Sequence, residues 1–340
     1  MILCLVGSPG RPRQDVLVIP QCLPLCSAAQ SDLAEYNRIS AHSHVLTLVS
    51  PIMLSHPDLN TLNVDLHCHS TISDGVLAPA EVALRAKTNG VDVWALTDHD
   101  EISGIAQARS AALDIGLSYV TGVEISITWA NKTIHIVGLN IDETNENLVR
   151  GLAMTRSGRE RRAEDMAAGL AKVGIPNTFE GALKYVGNPD LISRSHFARY
   201  LVEIGAAETV NDVFKRYLIE GKPGYVPHRW ATLAEAINWI QGAGGVAVVA
   251  HPGRYDLSPI AFDAFFGEFK SYGGNAIEVV TGSHTVDQYD EYTKIAQRHG
   301  FMASRGSDFH APDPAGIDLG QLPSLSASLK PVWSSWMLPS

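Results

Sequence analysis

The chain is poor in cysteine, and what it has is not arranged to build anything. Cys4, Cys22, Cys26 and Cys68 include no CxxC pair, which excludes a zinc ribbon and gives no disulfide framework. A reducing, cytoplasmic setting is therefore expected. Long apolar runs are also missing. Hydrophobic residues make up 45% of the 340, yet no stretch approaches the ~20 residues that a membrane helix needs. The segment from Val16 to Leu25 behind Arg11 and Arg13 is short and broken by Pro20, Gln21 and Pro24, so it makes a poor signal peptide. Basic charge is scarce: 26 Lys and Arg stand against 36 Asp and Glu, a formal charge of −10. A double-stranded DNA coat, which needs a basic face to displace counterions, is excluded. An acidic enzyme can still take a phosphate ester if metal ions supply the positive charge.

What is present falls into segments. Residues 1–61 are rich in Pro and Ser and show no sustained period, and they read as an N-terminal extension, partly disordered or an over-long start. From Asn63 onward strands and helices alternate. Short strands are expected at 64–67, 91–97, 117–123, 126–129, 133–138, 245–250, 276–280 and 301–304, with a turn at Asn131-Lys132. Helices are expected at 79–87, 102–115, 260–272 and 286–299, the first opened by Pro79. This alternation implies parallel strands wrapped by helices. Residues 143–226 break it with a charged helical stretch over 150–173 and short helices at 182–186, 195–203 and 210–220. They read as a helical cap inserted into a barrel formed by 62–142 and 227–325, with 326–340 as a C-terminal tail.

Histidine carries the chemistry. In a parallel α/β barrel, functional groups gather at the C-terminal ends of the strands. Here those ends hold His67-Cys68-His69, Thr97-Asp98-His99-Asp100, Glu124, His251-Pro252 and Ser307-Asp308-Phe309-His310; Asp74 follows the first strand and His135 sits in a strand. Residues two apart on an extended chain point to one side, so His67 and His69 can face one ion while Cys68 points away as a small core residue. A lone HxH is weak evidence, because most buried histidines are structural. Several strand ends with His, Asp or Glu are strong evidence, because isolated buried carboxylates are costly unless paired or metal-bound. His42, His44, His56, His284 and His299 fall outside the pattern.

The motifs Asp65-Leu66-His67-Cys68-His69-Ser70, Thr97-Asp98-His99-Asp100, Ala250-His251-Pro252 and Ser307-Asp308-Phe309-His310 resemble, in order, those of the PHP (polymerase and histidinol phosphatase) family. The resemblance spans Asn63 to Pro323. It implies a distorted seven-stranded (β/α) barrel with an inserted helical cap and a trinuclear metal centre. By motif, one ion falls to His67, His69, Glu124 and Asp308, a second to Glu124, His135 and His251, and a third to Asp74, His99 and His310. Many family members carry histidine where this chain has Asp74. Imidazole and carboxylate without thiolate suit Mn²⁺, Fe²⁺ or Zn²⁺, and the resemblance favours Mn²⁺. Asp98 is expected to orient a ligand histidine from behind.

A water held by the cluster, acidified toward neutrality, is the expected nucleophile, with hydrolysis of a phosphomonoester as the reaction. The Ser-Asp-Gly after the first motif and the inserted cap resemble the subgroup that removes the 3′-phosphate of nucleoside 3′,5′-bisphosphates, such as 3′-phosphoadenosine 5′-phosphate. Arg194 and His196 at a helix start in the cap, with His228, Arg229 and Arg254, are the candidates for holding this nucleotide. Alternatives are a 5′→3′ exonuclease on short RNA, a histidinol-phosphate phosphatase, and a non-catalytic PHP module of a polymerase, which should lose ligands that this chain keeps. A metal-dependent amidohydrolase would need a lysine at a strand end, where none occurs.

Overall fold

The computed structural model describes residues 61–336 apart from 229 and 315. The expected extension up to residue 60, with His42, His44 and His56, lies outside the described residues. Seven strands, β1 (Val64–Asp65), β2 (Val93–Leu96), β3 (Ser118–Trp129), β4 (Lys132–Leu139), β5 (Val246–Val249), β6 (Ala276–Thr281) and β7 (Met302–Gly306), form one sheet in sequence order. β7 returns to β1. Leu66 N–H donates to Arg305 O at 3.0 Å, Asp308 N–H to His67 O at 2.8 Å and His69 N–H to Phe309 O at 2.8 Å. The approach is close enough that a Cβ at Gly306 would lie 2.3 Å from His67 Cβ, so only glycine fits there. Asp65 fastens the seam, accepting from Ser307 N at 2.8 Å and Gly320 N at 2.9 Å.

Most neighbouring strands are parallel, as expected, but β4 is antiparallel to both β3 and β5. The cause is local. Only Ala130 and Asn131 separate β3 from β4, both at positive φ (47° and 61°), and a two-residue loop of this kind makes a hairpin where a parallel crossover needs a dozen residues or more. The expected break between 123 and 126 is absent, and β3 runs through it. Its polar residues are buried and used: Ser126 donates N–H and Oγ–H to Asp100 at 2.7 and 2.9 Å.

Helices α1 (Pro79–Thr88), α2 (Ile105–Asp114), α8 (Leu233–Gly242), α9 (Pro259–Ser271) and α10 (Val286–His299) belong to the barrel stretches. α8 was missed in the sequence although Thr232 and Glu235 form a reciprocal cap at its start. Between β4 and α8 the described chain is helical: α3 (Glu146–Arg156), α4 (Arg159–Ala171), α5 (Thr178–Leu183), α6 (Arg194–Glu203) and α7 (Val210–Val213), the last running into a wider π-turn over 214–218. The charged stretch expected as one helix is two, because Gly158 sits at φ 90° between them. These helices bury a separate apolar cluster around Met166, Leu170, Phe197 and Leu201. The expected C-terminal tail is described up to residue 336 and is packed there. Val332 and Trp333 are buried in the main core and Ala303 N–H donates to Lys330 O at 2.9 Å, since leaving a Trp and a Val in water would forgo their burial.

Candidate metal centre

The nine candidate ligands come together at one end of the strands. His67 and His69 follow β1, Asp74 lies in the next loop, His99 follows β2, Glu124 and His135 sit on β3 and β4, His251 follows β5, and Asp308 and His310 follow β7. Asp100, His251 and Asp308 hold left-handed backbone (φ 52°, 27° and 56°), a strained conformation for such residues that turns the chain at three of these strand ends.

Glu124 is the hub, fully buried. Its Oε1 lies 2.9 Å from His135 Nδ1 and 3.0 Å from His251 Nε2, and its Oε2 lies 2.9 Å from His99 Nδ1 and 3.3 Å from both His67 Nε2 and His69 Nε2. Asp308 Oδ1 is 3.2 Å from His69 Nε2 and 3.5 Å from His67 Nε2. Asp74 Oδ1 is 3.3 Å from His310 Nε2 and 3.9 Å from both His69 Nδ1 and His99 Nε2. Four groups have ligand atoms within 4.8 Å of one another: His69, Asp74, His99 and His310; His67, Glu124 and His251; His67, His69 and Asp308; His99, Glu124 and His135. His67, His69 and His99 each fall in two groups, a wider sharing than the motif assignment gave them.

These atoms crowd without bonding well to each other. Glu124 Oε2, Asp74 Oδ1, His69 Nδ1 and His99 Nδ1 are buried and have no hydrogen-bond partner of acceptable geometry among the described residues. Buried polar atoms left this way are costly, and a cation among them removes the cost. The donor set fits such an ion: imidazole nitrogen and carboxylate oxygen only. Cys68 Sγ faces elsewhere, donating to Ala95 O at 3.3 Å and accepting from Trp94 Nε1 at 3.1 Å.

The charges respond to one another. Burial alone would raise Glu124, but His99, His135 and His67 hold it well below the usual carboxylate range. His99 is pushed up to about 9, because the Glu124 and Asp74 carboxylates outweigh burial. His69 falls to about 3 through burial and its neighbours His310 and His99.

Asp98 meets no histidine among the described residues. Its oxygens accept from Ser70 N (2.8 Å), Ser70 Oγ (2.7 Å) and Ser73 Oγ (2.6 Å), so it fixes the loop that carries Asp74. Asp100, which the sequence left without a role, ties β3 through Ser126 and pairs with buried Arg159 of α4. Glu278 on β6 was also missed; it touches His67 and the backbone of His251.

A cleft of about 130 Å³ opens over the cluster and is lined by Asp74, His99, His135, His251, Asp308 and His310. Arg159, Arg162, Arg194, Arg254 and Trp230 line it as well. Arg194 and Arg254 were expected from sequence. Arg159 and Arg162 were not, because arginines in a charged helix read as a solvated face; both are buried, 4.6 and 5.5 Å over the Trp230 ring. Burial, then repulsion from Arg194 and Arg159, lowers Arg162 to about 10. His196 does not reach the cleft. It is fully buried and its Nδ1 accepts the Ser193 N–H at 3.0 Å, capping α6. His228 packs edge-on against Trp230 at 4.1 Å and is absent from the cleft wall, while Arg229 lies outside the described residues.

A seven-stranded barrel with His, Asp and Glu converging at its strand ends, facing a wall of arginines, defines a hydrolase of phosphate esters that works with metal. The PHP domain model matches residues 65–220. A 3′,5′-nucleoside bisphosphate phosphatase of Chromobacterium violaceum is 47% identical over 80% of this chain and 95% of its own length. A 5′-3′ exoribonuclease of Haemophilus influenzae is 42% identical over 81% of this chain and 100% of its own. A solved structure of an amidohydrolase from Chromobacterium violaceum, with bound sulfate and no metal, superposes with a TM-score of 0.78 at 46% identity, covering 80% of this chain and 95% of that one. The chain belongs to the PHP domain family, and it is an enzyme of that family's metal-dependent phosphoesterase kind.

Proposed function

We propose that the protein removes the 3′-phosphate from nucleoside 3′,5′-bisphosphates, such as 3′-phosphoadenosine 5′-phosphate, releasing nucleoside 5′-monophosphate and phosphate. One observation carries this reading: six of the nine candidate ligands and four arginines line a single cleft. A substrate with two phosphates needs two anion sites, one where the ester breaks and one that only holds. Arg162 and Arg194 form no ion pair among the described residues, so their charge is free to meet the phosphate that stays. Arg254, half-exposed and 2.9 Å from Asp308 Oδ2, stands between the two zones. Trp230 backs Arg159 and Arg162, its indole N–H held by Thr133 Oγ1 at 3.2 Å, which fixes the wall before substrate arrives.

In this reading His67, His69, Asp74, His99, Glu124, His135, His251, Asp308 and His310 hold divalent ions, three in number and Mn²⁺ by preference, with Fe²⁺ or Zn²⁺ as substitutes. Such ions neutralise the phosphoryl oxygens and make water nucleophilic near neutral pH. Residues 62–142 and 227–325 form the metal-binding barrel, and 143–226 act as the cap that supplies the holding arginines. A buried free thiol at Cys68 suits the cytoplasm. The relative named as a 5′-3′ exoribonuclease makes a short 5′-phosphorylated RNA the second reading, because its terminal phosphate could use the same arginines.

A substrate panel separates these. Phosphate release is measured with Mn²⁺, and again with chelator, on 3′-phosphoadenosine 5′-phosphate, histidinol phosphate and a 5′-phosphorylated dinucleotide. The expected result is Mn²⁺-dependent release fastest from the bisphosphate. Preference for histidinol phosphate, or a rate indifferent to chelator, would overturn the proposal.

A further inference from the structure

Glu278 is the one charged residue of β6, whose other members Ala276, Ile277, Val279, Val280 and Thr281 are all buried, and it is itself 1% exposed. Both of its oxygens are engaged. Oε1 lies 2.7 Å from His67 Nδ1, and Oε2 accepts the backbone N–H of His251 at 2.6 Å. An ionised carboxylate can only accept, so the His67 proton sits on Nδ1. That leaves Nε2, which faces Glu124, His69 and Asp308, as the nitrogen whose lone pair a cation would take. The second contact falls on a strained residue: His251 stands at φ 27°, and its ring reaches Glu124 through Nε2 at 3.0 Å. One side chain thus touches the supports of two ligands from two strand ends.

We propose that Glu278 is a positioning residue of the metal centre, selecting the metal-binding tautomer of His67 and holding the backbone of His251 so that both rings point at the same cations. This rests on the reading of the cluster as a metal centre. Glu278→Gln tests it sharply. The amide has one accepting and one donating end, so whichever way it turns, a donor meets either the Nδ1–H of His67 or the N–H of His251. Turning His67 to the other tautomer relieves the first clash but places its proton on Nε2, where a free lone pair would be needed to bind a metal.

The experiment strips the full chain with chelator, then titrates it with Mn²⁺ and follows the free ion by electron paramagnetic resonance. Melting curves are recorded with and without Mn²⁺. For Glu278→Gln the apparent Kd should rise ~10- to 100-fold, the usual effect of losing a group behind a metal ligand, and the Mn²⁺-induced rise in Tm should shrink. Glu278→Asp keeps both acceptors on a shorter stem that cannot span both partners, so it should lie between wild type and Gln; it also decides the matter if the Gln variant fails to fold. If both melting curves drop in parallel while Mn²⁺ affinity stays at the wild-type value, Glu278 only braces β6 and the inference is wrong. If the wild-type chain itself takes up no Mn²⁺, the metal-centre reading fails first.

Discussion

Glu124 shows why this site must be read residue by residue. It is buried, touches five imidazoles, and keeps its charge only because they surround it. It could be found in the sequence because it directly follows the strand expected at 117–123. So could the two His-x-His-type pairs, since alternation along an extended chain aims both members one way. Glu278 shares the same kind of strand but lies mid-run with no neighbour to mark it. Arg159 and Arg162 were hidden for a different reason: only the fold tells a buried arginine from a solvated one. The arginine wall makes a clear demand. Arg194→Ala should lower kcat/KM for a 3′,5′-bisphosphate ~10- to 100-fold, the worth of a charged hydrogen bond, while leaving hydrolysis of a 3′-monophosphate nearly unchanged in a steady-state assay. Equal losses on both substrates would remove Arg194 from the holding site.

At the scale of elements, sequence periodicity located α1, α9, α10 and the short parallel strands to within a few residues. It failed where tertiary contacts override local pattern. β3 reads as two strands because buried Ser126 looks like a break, and the turn before β4, expected at Asn131-Lys132, falls one residue earlier because Ala130 takes up left-handed backbone. The loop after β5 is another case. His284, assigned no role from sequence, donates Nδ1–H to Val279 O at 3.0 Å and accepts Gly253 N–H on Nε2 at 2.9 Å, pinning the segment that carries Arg254. Burial, opposed by that carbonyl, takes His284 down to about 4. The unfolded chain binds this proton near pH 6.5 and the native one only near 4, so His284 contributes stability above pH 6.5 that is lost as pH falls toward 4. Between pH 7 and 5, wild type should lose on the order of 1–2 kcal/mol more than His284→Gln in urea unfolding. An identical pH dependence in the two proteins would show that His284 takes up its proton as readily in the native chain as in the unfolded one.

For the whole molecule, closure of the sheet is what turns scattered motifs into a site. Residues as far apart as His69 and His310, whose rings lie 4.1 Å apart, meet because β7 pairs back onto β1, with Asp65 and Gly306 holding the seam. The motifs and their order were legible in the sequence, and so was the helical character of residues 143–226. The separate apolar cluster in those helices and the way Arg156 and Arg159 reach Asp100 were not, since neither follows from local spacing. The central claim is that this closure creates a place for cations. Anomalous diffraction at the manganese edge, from crystals of the full chain grown with Mn²⁺, tests it most directly. The account expects peaks among Glu124, Asp308, Asp74 and their histidines; a well-ordered site with no anomalous density there would contradict it.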